Sequence, residues 1–130
     1  VARMYNEEAA KYNATMATGF ALLSIDRENG SPSTTLGPKM GMEATSLTRT
    51  LKSMEERGLI TRKKNPTDGR GVIIQLTKEG KEKRELSKET VLRFNETVKQ
   101  HISEEKLQHF MEVAEIINEL IADKKIYNDK

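Results

Sequence analysis

The chain has 130 residues, 35% of them hydrophobic and 32% charged, with a formal net charge of +2 and no cysteine. This length predicts a single domain over residues 1–130, and the lack of thiols excludes disulfides, thiolate metal sites and cysteine redox sensing. No apolar run approaches the roughly 18–20 residues of a membrane span and no signal-peptide pattern opens the sequence, so a cytoplasmic protein without a membrane partner is expected.

Val1 is not an initiator methionine, and the native chain is expected to extend beyond it. Val1, Met4, Tyr5, Ala9 and Tyr12 form one apolar stripe at helical spacing. Asn13 or Thr15 can cap the next helix, because either side-chain oxygen accepts an orphan N–H. That helix is predicted over residues 16–28. Its apolar residues cover most of its circumference, which predicts a central position. Gly19 inside it costs roughly 1 kcal/mol relative to Ala, so a close packing contact is expected there. Residues 29–32 read as a loop. A helix over 33–40 follows, with Ser33 or Thr34 as cap, expected to be short or else irregular around Gly37-Pro38, since proline beyond the first turn removes a ladder bond. Gly41 ends it.

The next helix, 44–57, buries Leu47, Leu51 and Met54 at i, i+4 and i+7 and stops at Gly58. Strands are predicted over 60–64 and 71–76, joined by a tip with Pro66 and Gly69 as turn residues. Thr77 caps a long helix to about residue 101, whose apolar positions make a narrow stripe. Ser103 caps the last helix, with Glu104 and Glu105 favourable at its positive end. Its apolar residues Leu107, Phe110, Val113, Ile117, Leu120 and Ile121, with Met111, Ala114 and Ile116, make a face too wide for packing on one small domain. A second copy of the chain is the expected occupant. The fold is therefore mainly α with a small β-hairpin wing. Residues 16–77 form a winged helix-turn-helix, and residues 1–15 and 78–130 are dimerisation helices.

Charge is concentrated in the middle. Residues 44–70 hold seven basic side chains against three acidic ones, whereas 1–43 and 71–130 each carry a net −1. A localised polyanion contact accounts for this, although a charge run is more often a solvated face.

The decisive residues are Ser46-Leu47-Thr48-Arg49, Leu51, Glu55, Gly58-Leu59-Ile60 and Arg62. They are followed by Asp68-Gly69-Arg70 and then Leu76-Thr77-Lys78-Glu79-Gly80. In this order and spacing they resemble the MarR family of bacterial transcription regulators (multiple antibiotic resistance regulators). The resemblance extends over nearly the whole chain. Pro38 departs from it, because the family's short helix is usually uninterrupted there. The resemblance implies a homodimeric, ligand-responsive repressor on a pseudo-palindromic double-stranded DNA operator. The helix carrying Ser46, Thr48 and Arg49 would enter the major groove. The wing would reach the flanking minor groove, with Arg70 inserted and Asp68 orienting it. Many family members release DNA when a small, often aromatic or anionic molecule binds between head and dimer region.

The residue chemistry fits that role. Arg49 can bond guanine O6 and N7 together; its other readings are a phosphate contact or an ion pair with Glu55 or Glu56. Thr45, Ser46 and Thr48 are small donors that permit close approach, though one of the first two could simply cap the helix. Lys52, Lys63 and Lys64 suit phosphates. Arg70 suits a narrow A·T-rich minor groove, against the plainer reading of a hairpin-tip salt bridge with Asp68. His101 and His109, with Glu105 between them, raise a metal site, but Ser103 breaks the helix there; no cofactor is expected. No P-loop, nucleophile-and-base motif or acid–base carboxylate pair is present, so an enzyme is not expected. The rival readings are a winged-helix module that binds protein without DNA function, and a metal-responsive regulator of the same fold.

Overall fold

A computed structural model of the chain describes residues 1–67 and 71–127. The elements run α1 (Ala2–Ala10), α2 (Met16–Ser24), β1 (Ser31–Pro32), α3 (Ser33–Met40), α4 (Ala44–Glu56), β2 (Ile60–Lys64), β3 (Val72–Leu76), α5 (Lys78–His101) and α6 (Glu104–Ala122). Two compact units are formed, Val1–Val91 and Leu92–Lys130, with the boundary inside α5.

The first unit is built on one core. Ala21, Leu22 and Ile25 at the end of α2 meet Leu36 and Met40 of α3, Leu47, Leu51 and Met54 of α4, and Leu59, Ile60 and Ile74 of the ribbon. The α4 stripe is the one that its spacing predicts. Left-handed glycines end the two middle helices, Gly41 at φ +64° and Gly58 at φ +74°. Thr15 caps α2 by accepting from Thr18 N at 3.2 Å, and Thr77 caps α5 by accepting from Gly80 N at 3.0 Å. The close contact expected at Gly19 is with α5, where an added Cβ would lie 3.2 Å from Ser87 Oγ.

Three local expectations are corrected. Helix α2 stops at Ser24, four residues early, with Ile25 already extended at ψ 132°. Beyond it the Asp26 carboxylate accepts from Asn29 N at 2.8 Å and from Glu28 N at 3.0 Å, a side-chain turn that competes with the helix. Residues 31–32 are strand and not loop: Ser31 pairs with Ile74 and Pro32 with Ile73. The sheet is therefore a three-stranded antiparallel one of order β1-β3-β2. Pro32 is tolerated because β1 is an edge strand. Finally, α3 is the expected short helix, eight residues with Pro38 inside it, but its cap position falls on Pro32 without a side-chain bond, not on Ser33 or Thr34. Thr34 and Pro38 are both exposed, so water can meet the carbonyl that proline leaves unbonded.

The second unit holds the end of α5 and all of α6, which Ser103 caps by accepting from Lys106 N at 3.3 Å. No residue of α6 is buried. Phe110 is 67% exposed, Val113 54%, Ile117 46% and Ile121 58%. No helix among the described residues is long and apolar enough to cross a membrane.

Candidate nucleic-acid interface

Helix α4 has two sides. Leu47, Leu51 and Met54 point into the core, and at about 3.6 residues per turn Thr45, Arg49 and Lys52 fall opposite them, with Ser46 and Thr48 on the flanks. All five polar residues are exposed. Glu43 holds the cap position without a side-chain bond, so neither Thr45 nor Ser46 is spent on capping. Thr48 Oγ1 donates to the Ala44 carbonyl at 2.8 Å. Arg49 makes no ion pair with Glu55 or Glu56. Glu55 instead meets Arg62 of β2, Oε2 to Nε at 3.3 Å.

The register of the ribbon pairs Arg62 with Ile74, Lys63 with Ile73 and Lys64 with Val72. Side chains alternate along a strand, so Lys63 and Lys64 project from opposite faces and are not brought together as one phosphate clamp. Both are exposed. At the outer end Asn65 N donates to the Gly71 carbonyl at 3.1 Å, and Asn65 Oδ1 accepts from Thr67 N at 3.0 Å. Asp68 and Arg70 lie outside the described residues, as does the turn at Gly69.

The joint behind α4 carries residues whose purpose is not apparent from local sequence. Thr77 Oγ1 donates to the Gly58 carbonyl at 2.6 Å, and Thr77 N donates to the Leu59 carbonyl at 3.0 Å. A Cβ at Gly80 would stand 2.0 Å from that same Leu59 oxygen. The Leu76-Thr77…Gly80 string thus clamps the start of α5 to the end of α4. Lys39 Nζ donates to the Ser24 carbonyl at 2.7 Å, tying α3 to the end of α2. Arg57 donates to the Asn13 carbonyl.

A cavity of about 540 Å³ opens between α1, α2 and the first half of α5. Tyr5, Ala9, Phe20, Leu23, Leu86 and Val91 give it apolar walls, Arg57 and Lys83 supply cationic side chains, and among the described residues no Asp or Glu lines it. The Thr15 and Thr18 hydroxyls on its wall bond each other at 3.1 Å. Burial raises the Tyr5 phenol above its ordinary pKa. A discontinuous lining of ordinary apolar side chains leaves no motif by which sequence alone could find it. In the second unit, His101 Nδ1 lies 2.9 Å from the Thr97 carbonyl, and α5 ends before α6 brings His109. Among the described residues no group of three or more His, Cys, Asp or Glu is placed to hold a metal ion.

Residues 14–72 match the model of the MarR family. The chain is 35% identical over 78 residues to the organic hydroperoxide resistance transcriptional regulator of Bacillus subtilis (strain 168), covering 60% of this chain and 53% of that protein. A second B. subtilis relative, the uncharacterized HTH-type transcriptional regulator YdgJ, is 31% identical over 78 residues, 60% of this chain and 48% of its own. The chain thus spans about half the length of these two relatives. Over 116 residues it is 29% identical to the HTH-type transcriptional regulator SarZ of Staphylococcus saprophyticus, covering 85% of this chain and 80% of that one.

Among solved structures, a MarR family transcription regulator superposes with a TM-score of 0.84 at 18% identity, over 98% of this chain and 84% of that one. A mutant MarR from E. coli complexed with operator DNA gives 0.78 at 22% identity, over 88% and 83%. The PcaV transcriptional regulator from Streptomyces coelicolor, in complex with its natural ligand, gives 0.71 at 19%, over 90% and 87%. These likenesses establish the fold, mainly helical with a small winged sheet. The three curated relatives are transcriptional regulators by name.

Proposed function

We propose that this chain, whose winged helix belongs to the MarR family, is a sequence-specific double-stranded DNA-binding regulator that acts as a homodimeric, ligand-responsive repressor in the bacterial cytoplasm. The observation that carries the reading is the outer side of α4. Thr45, Ser46, Arg49 and Lys52 are exposed, and none of their side chains has a hydrogen bond or ion pair among the described residues. Groups held ready on a helix whose other side is fixed in the core suit a major groove. Thr48 adds a third small hydroxyl. Lys63 and Lys64 supply phosphate contacts from two faces of the wing, and Arg70 with Asp68 supplies the minor-groove contact.

Dimerisation is assigned to the exposed α6 face of Leu107, Phe110, Val113, Ile117, Leu120 and Ile121. Bare in one chain, this apolar surface calls for a partner, and a second copy on a pseudo-palindromic operator would place two α4 helices about one DNA turn apart. The effector is assigned to the cavity beside α5. Apolar walls with Arg57 and Lys83, and no acid among the described residues, favour a small aromatic or anionic molecule. The 130 residues hold no cysteine, so a thiol switch is not open to them, whatever serves the hydroperoxide-resistance relative.

Selection of bound duplexes from random DNA, followed by a salt titration on the winners, tests the reading. The expected result is one enriched two-fold motif whose affinity falls steeply with salt. No enrichment, or binding indifferent to salt, would instead favour the protein-interaction module. A response to zinc or manganese lost on removing His101 or His109 would favour the metal-responsive regulator.

A further inference from the structure

We infer that the Glu55–Arg62 ion pair positions the wing against α4, making Arg62 a positioning residue for DNA reading and not itself a DNA contact. The inference rests on the DNA-binding reading above. Arg62 Nε and Glu55 Oε2 are 3.3 Å apart, with side chains 35% and 44% exposed. Each end is anchored. Glu55 follows Met54, which is fully buried. Arg62 lies two residues beyond buried Ile60 on the same strand face, opposite buried Ile74. The pair therefore bridges helix and ribbon level with buried Ile74. The chain reverses between α4 and β2 at Gly58, a backbone reversal that by itself sets the ribbon's direction only loosely.

Charge supports the assignment. A carboxylate on a helix that meets phosphates is unfavourable unless it is neutralised. Glu55 lies about 80° round α4 from Leu47, about 60° from Lys52 and about 120° from Arg49, at the ribbon-side edge of the polar face. Of the five cations Arg49, Lys52, Arg62, Lys63 and Lys64, Arg62 alone has an acidic partner among the described residues.

Two full-length variants give opposite expectations. Glu55→Gln removes a negative charge from the DNA side, so a merely repelling acid would give tighter binding on its loss. A brace gives weaker binding, by up to about fivefold, the upper scale of an exposed ion pair. The loss should fall on the base pairs flanking the helix-read core. The swap of Glu55→Arg with Arg62→Glu keeps net charge and should recover affinity and flank preference relative to Arg62→Glu alone. The probe is the set of duplexes that the native chain selects from random DNA, read by anisotropy, with melting by circular dichroism to check folding. Tighter or unchanged binding by Glu55→Gln, or a swap no better than Arg62→Glu, overturns the brace and leaves DNA binding standing. Failure of the native chain to select any duplex overturns both.

Discussion

Gly80→Ala should destabilise the protein, although Gly80 is inside the first turn of a helix. At an ordinary helix position the change gains about 0.8–1 kcal/mol. Here the new Cβ would stand 2.0 Å from the Leu59 carbonyl oxygen and 3.1 Å from its carbon, both backbone atoms. To reach an ordinary separation of about 3.5 Å the start of α5 must retreat by roughly 1.5 Å. That retreat stretches Thr77 N to Leu59 O, now 3.0 Å, and Thr77 Oγ1 to Gly58 O, now 2.6 Å, past bonding distance. Two lost bonds cost about 1 kcal/mol each, and the forced contact costs about 1–3 kcal/mol, before the helix gain is subtracted. A net loss of about 2–4 kcal/mol lowers the melting temperature by about 7–15 °C in a chain of this size. Urea and thermal melts at matched protein concentration measure it. A variant as stable as the native chain, or more so, would refute the joint.

Arg49→Ala should weaken binding to the selected duplex about tenfold or more and relax the preference at one G·C position; unchanged affinity and preference would remove Arg49 from the readout. Ile117→Asp should give monomers or unfolded chain in sedimentation velocity, and a stable DNA-competent dimer would refute the placement of the α6 face. The N–H groups of Asn29, first, and Glu28 hold the Asp26 carboxyl below its ordinary pKa. The fold therefore favours the ionised form, so its contribution is present above the usual Asp range and is lost as pH falls through the lowered native value. The stability gap between native chain and Asp26→Ala should narrow in acid, and a gap equal at about pH 7 and about pH 2 would count against the turn.

The exposed polar side of α4 was legible in sequence because it lies on one element. Thr45, Ser46, Arg49 and Lys52 share a side of α4 because the Leu47, Leu51, Met54 stripe fixes the helix's rotation. Where the site depends on pairing, sequence reading fell short. The ion pair weighed for Arg49 with Glu55 or Glu56 would span six or seven residues, beyond the three- and four-residue reach of a helix, and Glu55 instead meets Arg62 across to the ribbon. Lys63 and Lys64 are neighbours in the chain and opposites in space.

Periodicity and capping chemistry are local, and so the sequence by itself determined the order of the helices, the inward side of α4, the caps at Thr77 and Ser103, and the ribbon after Gly58, and it narrowed the α2 cap to Asn13 or Thr15. Only tertiary structure decided the rest. Ser31–Pro32 became a strand because β3 offered it an edge. Gly80 is required by a carbonyl 21 residues earlier in the chain, and the cavity beside α5 exists because three helices leave a space that none of them encodes alone. Each of these depends on atoms that meet only after the chain has folded, and no spacing along the chain records them.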